Sequence, residues 1–320
     1  MVAVGYTLMC EQTAPKQLVD YAVRAEEAGF DHAVISDHYY PWLESQGHSP
    51  YAWSVLGAAA HATSRMDLMT MVTCPIRRYH PAVVAQKAAT VGLLSDGRFT
   101  LGLGAGENLN EHVVGEWPHV QQRHEIFEEA LQIIRPLLAG ETVSYSGDYY
   151  DVPEAYLWDR PDRPVPMAVA VSGPSSCSLA AEYGDAVVAV EPQPRLLQLF
   201  DDAGGAGMPR YGQVAVCYGP DEAECRKIVH DQFRWFGLGW KVNAELPGPA
   251  SFASATQFVR EEDVAQSIPC GPDVEAHVAA FKKFADAGFT HVALVQVGGD
   301  SQPEFLDWAR EQLVPRLREL

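Results

Sequence analysis

Short apolar runs alternate with longer segments of helical periodicity along most of the chain. The pattern predicts strands over residues 2–9, 32–36, 67–73, 98–104, 165–171, 185–190, 213–218 and 291–297. It predicts helices over residues 15–28, 52–63, 81–94, 121–138, 174–183 and 303–314, and another from residue 221. Pro315 is expected to end the last helix. Eight strands, most of them followed by a helix, over 320 residues predict a (β/α)8 barrel.

A doubly wound open sheet is the competing architecture. It is disfavoured because no G-x-G-x-x-G motif follows the first predicted strand. The segment 25–34 also resembles the segment 284–293, and each contains the end of a helix, a glycine and the start of a strand. We therefore expect one α/β domain over residues 1–320. An inserted hairpin is expected at about 142–152, and an insertion at about 236–260 is either a lid over a site or a packed surface excursion.

The charge balance argues against several classes of partner. Lys and Arg number 23 against 42 Asp and Glu, which gives a formal net charge of -19. Nucleic acid and anionic membrane surfaces both require a cationic face, so neither is expected as a partner. The N-terminal residues 1–6 have no basic region and enter a strand at once, so no signal peptide is expected. The six widely spaced cysteines are interpreted as reduced thiols of a cytoplasmic protein.

Ionisable, aromatic and small polar residues and a glycine follow several of the predicted strands, at the end where barrel enzymes form their sites. They are Glu11 after the first strand, Asp37, His38 and Trp42 after the second, Cys74 after the third, Glu107 and Asn110 after the fourth, and Ser172 and Gly173 after the fifth. An imidazole beside a carboxylate is suited to proton transfer, although such a histidine also serves as a structural hydrogen-bond partner. Trp42 has the shape to line the site of an aromatic cofactor or simply to pack.

Other chemistries fit the sequence less well. Asp37, His38 and Glu107 are residue types of a facial metal triad, but the aromatic residues and glycines around them favour a pocket for a flat ligand. We therefore expect no metal. The chain has no H-E-x-x-H and no G-x-S-x-G motif, and its Gly102–Gly106 run lacks the Lys-Ser/Thr of a phosphate-binding loop.

Three segments together resemble the luciferase-like monooxygenase superfamily. They are Ser36–Trp42, Cys74–Gln86 and Gly104–Glu111. Within that superfamily they are similar to the coenzyme F420-dependent dehydrogenases, the branch that acts on glucose 6-phosphate and on secondary alcohols. The resemblance extends over nearly the whole chain. It implies a (β/α)8 barrel that binds the deazaflavin coenzyme F420, with FMN as the alternative cofactor.

The resemblance also implies roles for individual residues. His38 is expected to act as the base at the substrate hydroxyl, Trp42 to stabilise developing charge, and Glu107 to assist protonation at the deazaflavin. The residues expected to contact the cofactor are Asp37, Met71, Val72, Cys74, Glu107, Asn110, Ser172 and Gly173. A non-proline cis peptide is expected between Met71 and Val72, where it forms a bulge behind the ring. The implied reaction transfers a hydride to C5 of the deazaflavin while the hydroxyl proton moves to a base.

The substrate site departs from the sugar-phosphate pattern. Glu11 and Trp42 are expected to face the substrate. The two lysines that hold the phosphate in the similar enzymes correspond to Gln193 and Gln266, and the arginine corresponds to Pro303–Glu304. Because a dianionic phosphate is poorly held without a cation, an uncharged alcohol is at least as good a candidate. Other cationic residues are candidates for these tasks: Arg195, Arg260 and Lys282 for a phosphate, and Arg77 and Arg78 for the anionic cofactor tail.

Two alternatives remain open beside an F420-dependent dehydrogenase of alcohols or sugars. One is an FMN-dependent monooxygenase of the same superfamily, and the other is a flavin-binding barrel without catalytic activity. The resemblance implies a homodimer.

Overall fold

The computed structural model describes residues 2–320. It contains ten strands: β1 (Ala3–Leu8), β2 (His32–Ile35), β3 (Asp67–Thr70), β4 (Phe99–Leu103), β5 (Val143–Ser146), β6 (Asp151–Ala155), β7 (Met167–Ala170), β8 (Ala186–Val188), β9 (Arg210–Val216) and β10 (His291–Gln296). Eight of them form a closed barrel in the order β1-β10-β9-β8-β7-β4-β3-β2, and every pair in it is parallel. The predicted (β/α)8 barrel is confirmed.

Helices surround the barrel and connect its strands. They are α1 (Pro15–Glu27), α2 (Ala52–Ala62), α3 (Pro81–Leu94), α4 (Asn108–Glu111), α5 (Val120–Ala139), α6 (Pro174–Tyr183), α7 (Pro194–Phe200), α8 (Glu222–Phe233), α9 (Trp240–Asn243), α10 (Gly248–Ala255), α11 (Glu261–Ala265), α12 (Val274–Ala287), α13 (Gln302–Trp308) and α14 (Val314–Leu317). In α1 the residues Leu18, Tyr21, Ala22 and Ala25 are buried, which is the face that its apolar spacing predicts. No helix within residues 2–320 has both the length and the apolar character to cross a membrane.

Alanine, valine and methionine side chains fill the barrel interior. Ala168, Ala186 and Ala293 pack there against Met69 and Met71. Strands β3 and β4 approach so closely that a Cβ on Gly102 would lie 1.8 Å from the carbonyl oxygen of Thr70. The Thr70 hydroxyl also hydrogen-bonds the backbone N–H and C=O of Gly102. A glycine is therefore required where these two strands meet.

Two segments lie outside the regular barrel. Strands β5 and β6 form an antiparallel pair apart from the main sheet, with the chain reversing over residues 147–150. Residues 234–260, here named the 234–260 segment, consist of a 3-10 turn over Arg234–Leu238 followed by α9 and α10.

The structure differs from the sequence prediction at several element ends, including those of the third strand and the last helix. The third strand ends at Thr70 rather than Thr73, and Thr73 rejoins the sheet as an isolated bridge to Leu103. The last helix continues past Pro315, so the predicted stop there is wrong. A π-helical turn over Ala309–Leu313 comes before Pro315, which then occupies the first turn of α14, where a missing N–H is tolerated.

Candidate active site

His38 lies between two carboxylates at the C-terminal mouth of the barrel. Its Nδ1 is 2.5 Å from Oε1 of Glu11, and its Nε2 is 3.0 Å from Oε1 of Glu107. The Ser36 hydroxyl donates a hydrogen bond to the same Glu11 oxygen at 2.6 Å. The contact between His38 Nδ1 and Glu11 is an ion pair and not a hydrogen bond, because the carboxylate oxygen does not lie in hydrogen-bonding geometry with Nδ1.

The three side chains come from three different strand ends. Glu11 lies in a 3-10 turn directly after β1, His38 follows β2, and Glu107 is the residue before the first turn of α4, which follows β4. Because β1 and β2 are neighbours in the barrel and β4 is separated from β2 only by β3, their ends converge at one mouth. This is the location that a barrel assigns to its chemistry.

Burial and charge together control the protonation of His38. Its side chain is 8% exposed, and those of Glu11 and Glu107 are 1% and 14% exposed. Burial opposes the charged imidazole, but the negative charge of Glu11 and the Glu107 carboxylate outweigh it and raise the pKa of His38 to about 10. Burial likewise opposes the charged form of Glu11, yet the positive charge of His38 lowers the pKa of that carboxyl. At neutral pH the centre of the site is therefore an imidazolium between carboxylates.

Trp42 packs between His38 and the 234–260 segment. Its ring meets the His38 imidazole edge to face, with centroids 5.2 Å apart, and stacks on Trp235 at 4.1 Å and 10°. Phe252 contacts Trp42 edge-on at 5.1 Å. Trp42 is buried, so the 234–260 segment covers the side of the site that this residue occupies. The segment is also tied to α4, because the backbone N–H of Asn108 donates to the carbonyl of Ala244 at 2.9 Å.

The Asp37 carboxylate is fully engaged with structural partners. It accepts hydrogen bonds from Trp53 Nε1 at 3.0 Å, the Thr73 hydroxyl at 2.8 Å and the Tyr79 hydroxyl at 3.0 Å. Asp37 is also buried, and Arg78 Nη1 lies 3.6 Å from it. These contacts fix the backbone immediately before His38.

The other predicted cofactor residues are distributed around the same mouth. Asn110 accepts hydrogen bonds from the backbone N–H groups of Tyr39 and Tyr40, at 2.7 and 3.3 Å. Its amide also donates to Glu107 at 3.3 Å. Cys74 is buried beside Gly106, whose φ of 79° requires glycine.

Ser172 and Gly173 precede α6 at the end of β7. Their backbone N–H groups donate to the hydroxyl of Ser176, at 3.0 and 3.2 Å. A Cβ on Gly173 would meet nothing within 4 Å, so the space beside this turn is open.

The two predicted substrate residues that replace cations are exposed. Gln193 precedes α7 and hydrogen-bonds Glu191, while Gln266 follows α11 and faces solvent. Two of the other candidate cations pair with acidic residues: Arg260 with Asp263 at 2.7 Å, and Lys282 with Asp286. Arg195 is exposed.

A flat apolar surface lies in the barrel mouth next to the ionisable cluster. Val72 and Ala170 are only half-buried although they belong to the interior cluster of the barrel. A Cβ on Gly104 would lie 2.8 Å from Val72 Cγ2 and 3.4 Å from the Ala170 Cβ, so the three residues are contiguous. An apolar floor without side-chain bulk suits one face of a planar heteroaromatic ring. The Met71–Val72 peptide is cis, which confirms that prediction.

A surface hollow of about 390 Å³ adjoins this region. It is lined by Tyr40, Pro41, Glu44, Gly47, His48, Ser49 and Pro249. It therefore lies between the loop that carries His38 and the 234–260 segment. Within residues 2–320 no group of three or more His, Cys, Asp or Glu side chains is arranged to hold a metal ion.

The contacts of three residues of this region were not predicted from the sequence, although Arg78 was expected at the cofactor tail. Trp235 comes from the insertion, and its contact with Trp42 depends on how that insertion folds back. Arg78 and Glu111 pair with each other at 2.7 Å behind the site. Their signal in the sequence is that Arg78 and Glu111 both follow adjacent strands, Arg78 after β3 and Glu111 at the end of α4 after β4, and are opposite in charge.

Comparisons with known proteins agree with the barrel fold. A profile of the family Luciferase-like monooxygenase matches residues 3–291. The chain is 37% identical to an F420-dependent glucose-6-phosphate dehydrogenase of Beutenbergia cavernae, over 99% of this chain and 98% of that protein. It is 34% identical to the protein of the same name from Amycolatopsis mediterranei, over all of both chains.

Among solved structures, an F420-dependent secondary alcohol dehydrogenase in complex with an F420-acetone adduct superposes with a TM-score of 0.90. It is 29% identical and the match covers 99% of both chains. A coenzyme F420-dependent tetrahydromethanopterin reductase from Methanopyrus kandleri shares the fold, with a TM-score of 0.78 at 21% identity over 99% of both chains. Because the family profile matches residues 3–291, which is most of this chain, the chain belongs to the luciferase-like monooxygenase family.

Proposed function

We propose that this protein is a coenzyme F420-dependent oxidoreductase that transfers a hydride between a CH–OH substrate and C5 of the deazaflavin. The observation that carries the proposal is the row Glu11, His38 and Glu107 beside the apolar floor formed by Val72, Gly104 and Ala170. This arrangement offers a proton donor and acceptor next to a surface for a planar ring. The relatives named as F420-dependent dehydrogenases and the solved secondary alcohol dehydrogenase support the same chemistry.

In this proposal the bound deazaflavin supplies the centre that accepts or gives the hydride. Val72 and Gly104 provide a face for the ring, and Ser172 and Gly173 border the open space at the N-terminal end of α6. Asn110 holds the His38 loop against α4 and also contacts Glu107. The protein's task is to orient the reacting groups and manage the proton.

His38 handles the proton at the substrate oxygen. For oxidation of an alcohol its Nε2 must be free of a proton, so that it accepts the hydroxyl proton as the hydride leaves. For reduction of a ketone the imidazolium donates that proton. Because the two carboxylates raise the pKa of His38 to about 10, the protein at neutral pH is prepared for the reduction. Glu107, which is partly exposed and contacts Nε2, is placed to exchange protons with the cofactor side.

The 234–260 segment serves as the lid in this proposal. It covers Trp42 through Trp235 and Phe252 and is fastened to α4 at Asn108. Excluding water strengthens every charge interaction around His38. The hollow lined by Tyr40 and Pro249 lies beside this segment, on the loop that follows His38.

An uncharged secondary alcohol, or its ketone, is the proposed substrate class. The positions that would hold a phosphate are the exposed glutamines Gln193 and Gln266, and Arg260 and Lys282 are already paired with acidic residues. Arg78 is occupied by Asp37 and Glu111. A dianion at this mouth would meet the carboxylates of Glu11 and Glu107, and the candidate cations without an acidic partner within residues 2–320, Arg77 and Arg195, are both exposed. Sugar 6-phosphates, the substrates named for the relatives, are the second candidate.

The deciding experiment is a parallel titration of the purified protein with coenzyme F420 and with FMN, followed by addition of alcohols and glucose 6-phosphate without oxygen. The proposal expects binding of F420 and a substrate-dependent loss of the oxidised deazaflavin absorbance with a secondary alcohol. Binding of FMN alone, with turnover that requires oxygen, would instead establish the monooxygenase function.

We also propose that the protein is a cytoplasmic homodimer. All six cysteines within residues 2–320 are free thiols, as expected in a reducing compartment. Helix α3 leaves the apolar side chains of Val83, Leu93 and Leu94 exposed, which is consistent with burial against a second copy. Light scattering coupled to size-exclusion chromatography tests the dimer, and a mass of one chain, 35.1 kDa, would contradict it.

A further inference from the structure

Arg78 lies behind the candidate site and bonds to two separate strand ends. Its Nε donates to Glu111 Oε1 at 2.7 Å, and its backbone N–H donates to Glu111 Oε2 at 2.9 Å. Its Nη2 donates to the backbone carbonyl of Asp37 at 2.5 Å, and its Nη1 lies 3.6 Å from the Asp37 carboxylate. The Arg78 side chain is only 7% exposed, and that of Glu111 is fully buried.

The two groups that Arg78 holds are directly connected to the two members of the proton-handling pair. Asp37 is the residue before His38. Glu111 is the last residue of α4, one turn after Glu107. A displacement of either contact therefore moves the backbone that carries His38 or Glu107.

The planar guanidinium is necessary for this geometry. It directs several donors along fixed directions at once, whereas a lysine ammonium is a point charge on a flexible stem. Charge-assisted hydrogen bonds of this kind are stronger than neutral ones. Asn110 provides a second connection between the same loops, but it is an uncharged amide.

We propose that Arg78 is a positioning residue that keeps Nε2 of His38 within 3.0 Å of the Glu107 carboxylate by clamping the end of β2 to α4. It touches neither substrate nor cofactor in this assignment. The proposal deepens the proposed function and rests on it for its kinetic consequence, but the clamp itself is a property of the protein without cofactor.

The test compares Arg78→Lys with Arg98→Lys. Arg98 is a matched control because its guanidinium is also partly buried and also donates to several oxygen atoms, among them Thr63 Oγ1 and the carbonyl oxygens of Ala60 and Thr63. It precedes β4 and so lies at the opposite end of the barrel from His38. Both substitutions lower the melting temperature if each arginine is structural. Only Arg78→Lys is expected to affect the site.

Two readouts decide the question. In a crystal structure of the Arg78→Lys apoprotein the distance between His38 Nε2 and Glu107 is expected to exceed 3.5 Å, while in Arg98→Lys it stays near 3.0 Å. In the loaded enzyme Arg78→Lys is expected to lower kcat at least tenfold, with KM and the Kd for F420 within threefold of the wild-type values. Arg98→Lys should keep kcat within twofold.

An unchanged distance in Arg78→Lys, or a kcat within twofold of the wild-type value, overturns the clamp. If Arg78→Lys does not fold, Glu111→Gln takes its place with the same expectations, because it removes the charge from the other side of the pair. If the wild-type protein shows no F420-dependent activity, the proposed function fails and the distance alone decides the clamp.

Discussion

At the scale of single residues, the proposed chemistry depends on one imidazole in an acidic environment. His38 is held between Glu11 and Glu107, and both carboxylates favour its charged form. The same side chain in water would be mostly neutral at pH 7. Because the pKa of His38 is raised, the protein at neutral pH has the protonated imidazole that the proposed ketone reduction requires. The proposed alcohol oxidation requires the neutral imidazole.

This makes the pH dependence of the two directions different. Alcohol oxidation requires a neutral His38, so its kcat/KM should rise about tenfold per pH unit from pH 7 toward the pKa of about 10. Ketone reduction requires the imidazolium, so its kcat/KM should stay level to about pH 9 and then fall. Steady-state rates measured in both directions across this range check the prediction. Glu11→Gln removes one negative charge and should move both profiles to lower pH.

An oxidation profile that levels off near pH 6.5 in the wild-type protein would show that the two carboxylates do not control His38. Equal profiles for the wild-type protein and Glu11→Gln would lead to the same conclusion.

Much at this scale could be predicted from the sequence. His38 and Glu107 each follow a strand of one parallel barrel. Because the C-terminal ends of these strands converge at one mouth, the two residues are expected to lie close together. The partners of Asp37 could not be predicted, because Trp53 reaches it from α2 while Thr73 and Tyr79 reach it from the connection between β3 and α3. The positive charge of Arg78 did not by itself predict which acidic residue pairs with it.

At the scale of elements, the position of the site depends on tight strand packing and on the covering segment. Glycines bring β3 and β4 together and leave the floor of the mouth flat. The 234–260 segment then closes one side through Trp235. Its length and composition identified it as an insertion, but its docking onto Trp42 arises from tertiary contacts that local patterns do not encode.

Gly102→Ala should disrupt the barrel, because its Cβ would lie 1.8 Å from the carbonyl oxygen of Thr70. We expect the free energy of unfolding to fall by about 3 kcal/mol or more, or the protein not to fold at all. Gly57→Ala is the matched control, since its nearest neighbour is Leu94 Cδ1 at 3.8 Å. This change lies within α2 and should leave stability unchanged or raise it by up to about 1 kcal/mol. Urea denaturation compares them, and equal stability of the two variants would contradict the close approach.

A substitution at Glu245 should loosen the 234–260 segment without changing any of the proposed reacting residues. Glu245 accepts hydrogen bonds from Arg123 and Trp117 and so fastens the 234–260 segment to the region around α5. Glu245→Ala should increase the rate of proteolytic cleavage within residues 239–250 about tenfold, because local opening exposes that backbone. Glu261→Gln, an exposed change on α11, is the control. Mass spectrometry of the fragments locates the cut, and identical cleavage rates would show that Glu245 does not fasten the segment.

At the scale of the whole molecule, a strongly acidic protein binds a cofactor that is itself anionic. The net charge is -19, and Arg78 is occupied inside the protein rather than free for the cofactor tail. The barrel class could be predicted from the alternation of strands and helices. The balance of attraction and repulsion around the mouth could not, because it depends on which cations are already paired.

Salt should therefore strengthen cofactor binding. Long-range repulsion between the acidic protein and the anionic tail is screened as the Debye length falls to about 3 Å at 1 M salt. We expect the Kd for coenzyme F420 to decrease between 0.02 and 0.5 M sodium chloride, on the order of several-fold. Fluorescence titration measures it. A Kd that increases steadily with salt would indicate a cationic cradle for the tail and contradict this reading of the charge distribution.

In the proposed mechanism His38 carries the proton while the neighbouring surface only holds the ring. Single-turnover kinetics of His38→Gln, with coenzyme F420 and a secondary alcohol in the absence of oxygen, test it most directly. We expect a hydride-transfer rate lower by about 10²–10⁴-fold, the usual contribution of a positioned acid or base, with the Kd for F420 within threefold of the wild-type value. A His38→Gln protein that reduces the cofactor at the wild-type rate would contradict it.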